Sequence, residues 1–427
     1  MKLTVISSAA ILLSIPLIST SPVQTGHAPF LTGVAYASDL QSAEARRTPS
    51  TGSDENPCAA PTRITDPYET AWRLWIAAHC PVNQNQYPFV VWENWIEQDT
   101  MYPLDPSAGL KVPNADAEQK TATLHHVHGS PLALVKDPSL TAVVPGLLGA
   151  ADQNCNKAGA PPKNQPNLII CEEVRENGGQ QDYIAGTGIW NRPGQQKLAS
   201  AHANIQFPAD AVEVKADWIQ LSSIGLDCTK LSPSFKESIH VEMIHGHCFA
   251  LAGLHLMSKV LENWLWATFE PQNTITNPAR CKALGCSDPF GSDPAQTNGR
   301  STKLTERLKK LMDAANLAQD FRNYRLDGVQ VLFTDNAKPT LLGNSIIEGE
   351  NATVPLKESS CISCHAVSAV KSDGTDSLGF LANNNPVGIP APLPSDDWIR
   401  RDFVWSLFLA CDNNPFRQGC APSPPAK

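Results

Sequence analysis

The segment Ala211-Val212-Glu213-Val214-Lys215-Ala216-Asp217-Trp218-Ile219 has the alternating apolar and polar residues of a β-strand. Three further strand-like segments lie in the same part of the chain, at residues 168–171, 248–257 and 264–269. Successive strands without long helices between them favour antiparallel β structure. The sequence therefore predicts an α+β protein with a large antiparallel β-rich body and short helices.

Helical patterns flank this body on both sides. Asp66 followed by Pro67 predicts the start of a short helix that Cys80-Pro81 ends. A second helix is expected after Ser301 or Thr302, with Leu304, Leu308, Leu311, Met312 and Ala315 on one face. A third is expected over residues 395–411, with Ile399, Phe403, Leu407 and Ala410 as its buried stripe. Strands are also predicted over residues 87–96 and 328–333.

The segment Cys361-Ile362-Ser363-Cys364-His365 has the C-x-x-C-H spacing at which proteins attach a c-type haem. On one helical turn, residues three apart face the same side, so both thiols can bond the haem vinyl groups while the adjacent imidazole ligates the iron. The sequence predicts one covalent haem c in a C-terminal helical segment, with Cys361 and Cys364 as anchors and His365 as the proximal iron ligand. The alternative, a thioredoxin-like redox pair, would require a parallel α/β pattern that is not evident around the motif.

The N-terminus has the pattern of a secretory signal peptide. Lys2 precedes an apolar stretch over residues 3–18, and Ala35-Tyr36-Ala37 is an A-x-A cleavage site, with Gly26-His27-Ala28 as a nearer but poorer alternative. We expect residues 1–37 to be the signal peptide, 38–62 a flexible lead, 63–300 the β-rich body and 301–427 a haem-binding cytochrome c-like region. A retained N-terminal anchor remains the alternative to cleavage, and no later segment is apolar enough to span a bilayer.

The cysteine content fits an exported protein, because c-type haem is attached after translocation, in a compartment where thiols also oxidise. Of the 12 cysteines, the two in the motif leave an even number. Their order along the chain suggests neighbouring disulfides, although sequence alone cannot fix the connectivity. The expected pairs are Cys58 with Cys80, Cys155 with Cys171, Cys228 with Cys248, Cys281 with Cys286, and Cys411 with Cys420.

Charge bounds the class of partner. The formal net charge is −9, and loss of residues 1–37 would remove only Lys2 among charged groups. An acidic chain without basic runs is a poor candidate for binding nucleic acid or an anionic membrane. The expected partner is a redox protein or a small-molecule electron donor or acceptor, in the periplasm or otherwise outside the cytoplasm, with no stable membrane span after the signal is removed.

Several segments resemble a group of exported bacterial proteins, the cytochrome c family proteins. The likeness is carried by Trp92-Glu93-Asn94-Trp95, by residues 207–218 (FPADAVEVKADW), by Gly253-Leu254-His255 with residues 264–270 (WLWATFE), and by Leu342-Gly343-Asn344-Ser345 before residues 359–365 (SSCISCH). The resemblance implies a periplasmic protein with a single haem and a large β-rich body, and it implies no substrate.

The small class I cytochromes c are less similar, because they supply a methionine iron ligand downstream of the motif. Here all five methionines lie upstream, and no histidine follows His365. The sixth iron position must be filled from the upstream body, by a weak ligand, or by nothing. His255 is the first candidate, since it lies in one of the family-like segments, on the same face of a predicted strand as Met257. Met257 and Met243 come next, and a core role for His255 is the alternative.

Other groups compete for a metal or a catalytic role. His125-His126-Val127-His128 and His245-Gly246-His247 have imidazoles at a spacing that suits copper or zinc on a strand, with exposed loop histidines as the alternative. Glu270 is a candidate acid or base beside an open iron, or else a solvated carboxylate at a strand end. Trp264 and Trp266 are expected to face the interior.

These patterns leave three hypotheses for function. The first is a monohaem cytochrome that transfers electrons. The second is a haem oxidoreductase with an open or weakly ligated iron that reduces peroxide or oxidises a small molecule, because strong axial ligation favours electron transfer and an open site permits ligand chemistry. The third is a β-rich binding or structural protein in which the haem is a sensor or stabiliser.

Overall fold

One large antiparallel sheet organises the chain, as the alternating segments predict. The computed structural model describes residues 56–64, 66–84, 87–110, 156–157, 168–244, 246–272, 279–411 and 420. These residues belong to one compact unit that spans residues 51–427. The expected signal peptide, most of the flexible lead, and the histidines at positions 125, 126, 128 and 245 lie outside the described residues.

Eight strands form the large sheet: β1 (Ile96–Glu97), β2 (Asn156–Lys157), β3 (Ile169–Glu176), β4 (Val212–Gln220), β5 (Val241–Ile244), β6 (His247–Ser258), β7 (Leu265–Pro271) and β8 (Tyr324–Gln330). The main path runs β8-β7-β6-β4-β3-β1, while β2 pairs with β3 and β5 pairs with β6. All of these pairs are antiparallel. The α+β class and the antiparallel body are therefore confirmed. Because β8 lies beyond residue 300, both sides of the expected boundary contribute to this one sheet.

Short helices and hairpins surround the sheet. The α-helices are α1 (Pro67–His79), α2 (Gln98–Met101), α3 (Gly178–Thr187), α4 (Arg192–Ser200), α5 (Pro233–Ser238), α6 (Ala279–Leu284), α7 (Glu306–Ala314) and α8 (Cys361–His365), and a π-helix spans Ser345–Asn351. Two-stranded pairs join Pro81–Gln84 to Tyr87–Val90, Cys286–Ser287 to Gln296–Thr297, Ser292–Asp293 to Lys303–Leu304, Thr334–Asp335 to Lys338–Pro339, and Ala369–Lys371 to Trp398–Arg400. Among the residues described, no helix is long and apolar enough to cross a bilayer.

The two faces of the sheet cover different hydrophobic cores. On β4, Val212 and Val214 contribute to the first core, which also holds Trp75 of α1. On the neighbouring strands, Met257 and Trp266 point to the opposite face and contribute to the second core. The second core continues into the haem-motif helix and the C-terminal segment, so the sheet separates α1 from the C-x-x-C-H motif.

Local sequence signals placed the first helix correctly. The Asp66 side chain accepts hydrogen bonds from the backbone N–H groups of Tyr68 and Glu69, at 3.0 and 2.9 Å, and Pro67 is the first helical residue. The later helix begins at Glu306 with Thr305 as its N-cap, rather than at Ser301 or Thr302. A 3₁₀ turn at Val91–Asn94 interrupts the strand expected over residues 87–96.

The helix expected over residues 395–411 is wrong. Residues Trp398–Arg400 form a strand paired with Ala369–Lys371, and a 3₁₀ turn follows at Ser406–Leu409. Asp402 and Phe403 between them have positive φ angles of 48° and 70°, which no right-handed helix allows. Ile399 and Leu407 are buried as the pattern required. Strand pairing and a tight turn thus bury the stripe that helical periodicity seemed to mark.

Four of the five expected disulfides are present: Cys58–Cys80, Cys228–Cys248, Cys281–Cys286 and Cys411–Cys420. Cys171 is also disulfide-bonded, and its expected partner Cys155 lies outside the described residues. Within the described part of the chain, Cys361 and Cys364 are not joined to another cysteine.

Candidate functional site

The C-x-x-C-H motif forms helix α8, which is tied to the edge strand β8 of the large sheet. The Ile362 N–H donates to Gln330 Oε1 at 2.9 Å, and Gln330 Nε2 donates to Ser360 Oγ at 2.8 Å. Ile362 is fully buried in the second core. The N-terminal end of the helix is therefore fixed by side chains of the sheet as well as by packing.

Both motif thiols lie at a cleft beside this helix. The Cys361 thiol is buried and donates to the Leu342 carbonyl at 2.9 Å, and Cys364 is half-buried. Burial, with the nearby Glu348 carboxylate, raises the pKa of Cys361 well above its usual value. The Cys361 thiol is thus held protonated. Cys364 follows it three residues later, on the same helical turn.

His365 is oriented by a residue far along the chain. Its Nδ1 lies 2.7 Å from the Phe403 carbonyl oxygen. Because a carbonyl oxygen only accepts, Nδ1 carries the proton and Nε2 keeps its lone pair. Burial lowers the pKa of His365 to about 3, so the ring is neutral at ordinary pH. The Trp266 ring contacts it at a centroid distance of 4.6 Å. His365 is therefore a neutral imidazole whose Nε2 lone pair is not used by the hydrogen bond to Phe403.

The cleft lies between the second face of the sheet and helix α8. Its volume is about 740 Å³, including open solvent at its mouth. The sheet supplies Glu213 and Lys215 from β4, His255 and Met257 from β6, and Trp266 from β7. Register explains this grouping, since Glu213 pairs with Met257 and Lys215 with His255. The structure therefore brings Cys361, Cys364, His365 and His255 to one cavity.

His255 is held by a carboxylate in this cleft. Its Nε2 lies 2.9 and 3.0 Å from the two carboxylate oxygens of Glu348, while its Nδ1 is buried without a hydrogen-bond partner among the described residues. His255, Glu348 and Cys361 each offer one possible ligand atom, and these three atoms lie within 4.8 Å of one another. Nε2, the nitrogen that most often ligates iron, is thus occupied by Glu348. His255 as a distal iron ligand stays a prediction.

Charged groups continue from Glu348 along the same face. The pKa of Glu348 is lowered overall, because the neighbouring His255 and Lys215 together outweigh burial, which by itself would raise it. Burial likewise opposes the charged form of Lys215, yet Glu172, at 2.9 Å, and Asp217 raise its pKa overall. The wall opposite the motif therefore carries a linked acid–base network beside the apolar side chains of Met257 and Trp266.

The remaining candidates lie elsewhere or are changed by the fold. Met257 lines the cleft and is 4% exposed, whereas Met243 is 58% exposed on β5 and does not line it. His247 is exposed, with Nδ1 at 3.3 Å from Gln220 Nε2. The described part of the chain thus offers one imidazole of the two expected clusters.

Glu270 is neither solvated nor beside the motif. It is fully buried, and it accepts from the Ser345 N–H at 2.6 Å, from Ser345 Oγ at 2.9 Å and from Arg325 at 3.3 Å. Glu270 therefore holds the π-helix against β7, and the expectation of a solvated strand-end carboxylate is wrong. Trp264 and Trp266 are both buried, as expected.

Sequence reasoning missed Glu348, Lys215 and the Phe403 carbonyl. Two sequence signals could have found Lys215 and Glu348. The charged residues that alternate along β4 indicate that Lys215 faces away from the first core, and Asn344, four residues before Glu348, is a residue type that often begins a helix. No local pattern pairs Glu348 with His255, or Phe403 with His365. Those contacts exist only once the segments pack.

No protein-family model, curated protein or solved structure matches this chain.

Proposed function

We propose that this protein binds one haem c, attached through thioethers at Cys361 and Cys364 with His365 as the proximal iron ligand, and that it transfers electrons to or from a redox partner. The observation that carries the proposal is the arrangement of the motif: Cys361, Cys364 and His365 all line one cleft, and His365 Nδ1 is hydrogen-bonded to the Phe403 carbonyl, which leaves Nε2 as the possible ligand. When bound, such a haem supplies reversible one-electron chemistry at its iron.

The chain's own groups fit this role. The hydrogen bond from Nδ1 to the Phe403 carbonyl fixes the ring of His365 and leaves Nε2 to bind iron, as the outer-shell partners of metal-bound histidines do. The Trp266 ring packs against the imidazole at a centroid distance of 4.6 Å. The disulfides support an exported location, because such bonds persist in oxidising compartments. We propose that the protein acts in the periplasm or otherwise outside the cytoplasm.

Mass measurement tests attachment. The protein is produced with a c-type haem attachment system, and we expect the wild-type chain to gain the mass of one haem. C361S/C364S should gain none, whereas S363A, which keeps the spacing of both thiols and the imidazole, should gain the full mass. Attachment in the doubly substituted chain, or its absence from the wild type, would contradict haem binding at this motif.

Spectroscopy tests the role of the haem. Low-spin optical spectra in both oxidation states, unchanged by carbon monoxide or cyanide, are expected for an electron carrier with both axial positions filled. High-spin spectra that change with carbon monoxide would reject the carrier role while leaving haem attachment intact.

One observation favours a second function, a haem oxidoreductase. Because Glu348 occupies His255 Nε2, the cleft contains an acid–base pair rather than a free imidazole ligand. A paired histidine and carboxylate can move a proton to or from a bound small molecule such as peroxide. If this function holds, E348Q lowers peroxide turnover while haem content stays unchanged. Equal turnover in E348Q and wild type would remove the support.

A further inference from the structure

A second cluster of metal-binding side chains lies on the side of the first core, away from the cleft. It contains Glu93, His240 and Glu242. Each offers one possible ligand atom, and these three atoms lie within 4.8 Å of one another. The His240 ring contacts Trp218, a member of the first core. Glu93 belongs to the segment Trp92-Glu93-Asn94-Trp95, for which the haem motif provides no chemical role.

His240 is held in the orientation of a metal ligand. Its Nδ1 lies 2.7 Å from Asp320 Oδ2, and its ring stacks on Phe321 at a centroid distance of 4.4 Å. Only 8% of the residue is exposed. Because the Asp320 carboxylate accepts the Nδ1 proton, Nε2 is the nitrogen turned toward the cluster. There it is buried, and it makes no hydrogen bond of normal geometry with any residue that the structure describes. A carboxylate on the far nitrogen is the usual outer partner of a metal-bound histidine.

The separations match a metal site better than direct hydrogen bonds. His240 Nε2 lies 3.3 Å from Glu242 Oε1 and 3.7 Å from Glu93 Oε1. Ligands about 2.1 Å from a tetrahedral zinc ion are about 3.4 Å apart. The other Glu93 oxygen accepts from the Val90 N–H at 2.9 Å, which holds this carboxylate in place. Both separations from His240 Nε2 thus suit ligands of one small cation, and all three ligand atoms lie within 4.8 Å of one another.

We propose that Glu93, His240 and Glu242 bind one Zn²⁺ ion, with Asp320 as a positioning residue behind His240 and with water as the fourth ligand. Nitrogen and carboxylate oxygen donors are both ordinary for zinc, and sites with three protein ligands leave a position for water. The Glu242 side chain is 34% exposed and that of Asp320 is 20% exposed, so solvent reaches the cluster. The two charges of Zn²⁺ also offset the three carboxylates around one imidazole.

Zinc titration of the full-length protein tests the site, and the result does not depend on whether haem is attached. After chelator treatment and dialysis, the protein is titrated with ZnCl₂ by calorimetry, and zinc retained after desalting is counted separately from iron. We expect one Zn²⁺ per chain in the wild type and in E237Q, a control in which an exposed carboxylate of α5 is neutralised. E242Q, which removes a ligand charge, is expected to bind Zn²⁺ at least 10-fold more weakly.

Asp320 gives a second, independent test. D320A is expected to weaken Zn²⁺ binding by about 10–100-fold, and D320N to recover part of the loss, because the amide oxygen can still accept from Nδ1. The thermal midpoint of the zinc-free chain, measured beside each titration, separates lost folding from lost affinity. If E242Q does not fold, the two Asp320 variants decide. No retained zinc in the wild type, or equal affinity in wild type, E242Q and D320A, would overturn the proposal and leave His240 as an imidazolium held by carboxylates.

Discussion

Substitution of Gly253 by alanine tests how the sheet positions the wall of the cleft. Gly253 lies in β6, and a Cβ built there would be 2.6 Å from Asn344 Oδ1, 3.0 Å from its Cγ and 3.1 Å from its Nδ2. The amide of Asn344 has little room to move. Its Oδ1 caps the π-helix by accepting from the Ile346 and Ile347 N–H groups, and its Nδ2 donates to Thr268 Oγ1 at 3.0 Å.

The expected loss of stability follows from two contributions. Displacing a side-chain cap costs about 0.5–2 kcal/mol, and forcing a methyl group into a packed interior costs about 1–3 kcal/mol. We therefore expect G253A to lower the free energy of unfolding by about 1.5–5 kcal/mol. Because the Asn344 N–H also donates to Glu348 Oε2 at 2.7 Å, the same substitution should loosen the carboxylate that holds His255.

Urea denaturation followed by circular dichroism measures this loss. The matched control is G186A, within helix α3, where an added Cβ meets nothing within 4 Å. There alanine should be neutral or stabilising by up to about 1 kcal/mol, since glycine is a poor helix former. A loss below about 0.5 kcal/mol in G253A would show that Asn344 moves without cost, and the reasoning from close packing would be refuted.

Three further predictions concern buried charge and capping. Burial is the main cause that raises the pKa of Glu176 to about 8 and that of Glu213 to about 7. The stability linked to their protonation is therefore complete below the pKa values of the unfolded chain and is lost as the pH rises toward 8. E176Q should show a smaller fall in the free energy of unfolding between pH 5 and 8.5 than the wild type, and an equal fall would contradict this. D376A should lower the free energy of unfolding, measured by urea denaturation, by about 3–5 kcal/mol. The reason is that the buried Arg401 guanidinium, whose Nη2 lies 2.6 Å from Asp376 Oδ2, would lose this carboxylate. A loss under about 1 kcal/mol would be inconsistent with a buried pair. D66A should lower the thermal midpoint, through a loss of about 0.5–2 kcal/mol at the N-cap of α1, and an unchanged midpoint would show that the cap contributes nothing.

Elements set by neighbouring residues were predictable from the sequence. Alternation placed the strands β4, β6 and β7, because side chains on a strand point to opposite faces and one of those faces needed a core. Asp66 and Pro67 began helix α1, since an acceptor side chain and a fixed φ angle act within one turn. The order of the cysteines along the chain likewise indicated four of the disulfides now described.

Periodicity failed where a distant segment competed with it. Ile399 and Leu407 are buried at a spacing that suits a helix, but pairing with Ala369–Lys371 gives the first of them a strand instead. Glu270 looked like a solvated carboxylate at a strand end. Only the fold brings Ser345 close enough to donate a hydrogen bond to it and Arg325 close enough to form an ion pair with it. A pattern reports that a residue is buried, and it does not report which partner buries it.

The candidate site divides in the same way. The sequence by itself determined that two thiols and an imidazole occupy one helical turn, because that spacing is a local property of the chain. Only the tertiary structure decided that the Phe403 carbonyl, 38 residues away, fixes the proton of His365 and that Glu348, 93 residues from His255, occupies its Nε2. Contacts over such separations depend on the packing of whole segments against the sheet, and short-range chemistry along the chain carries no record of them.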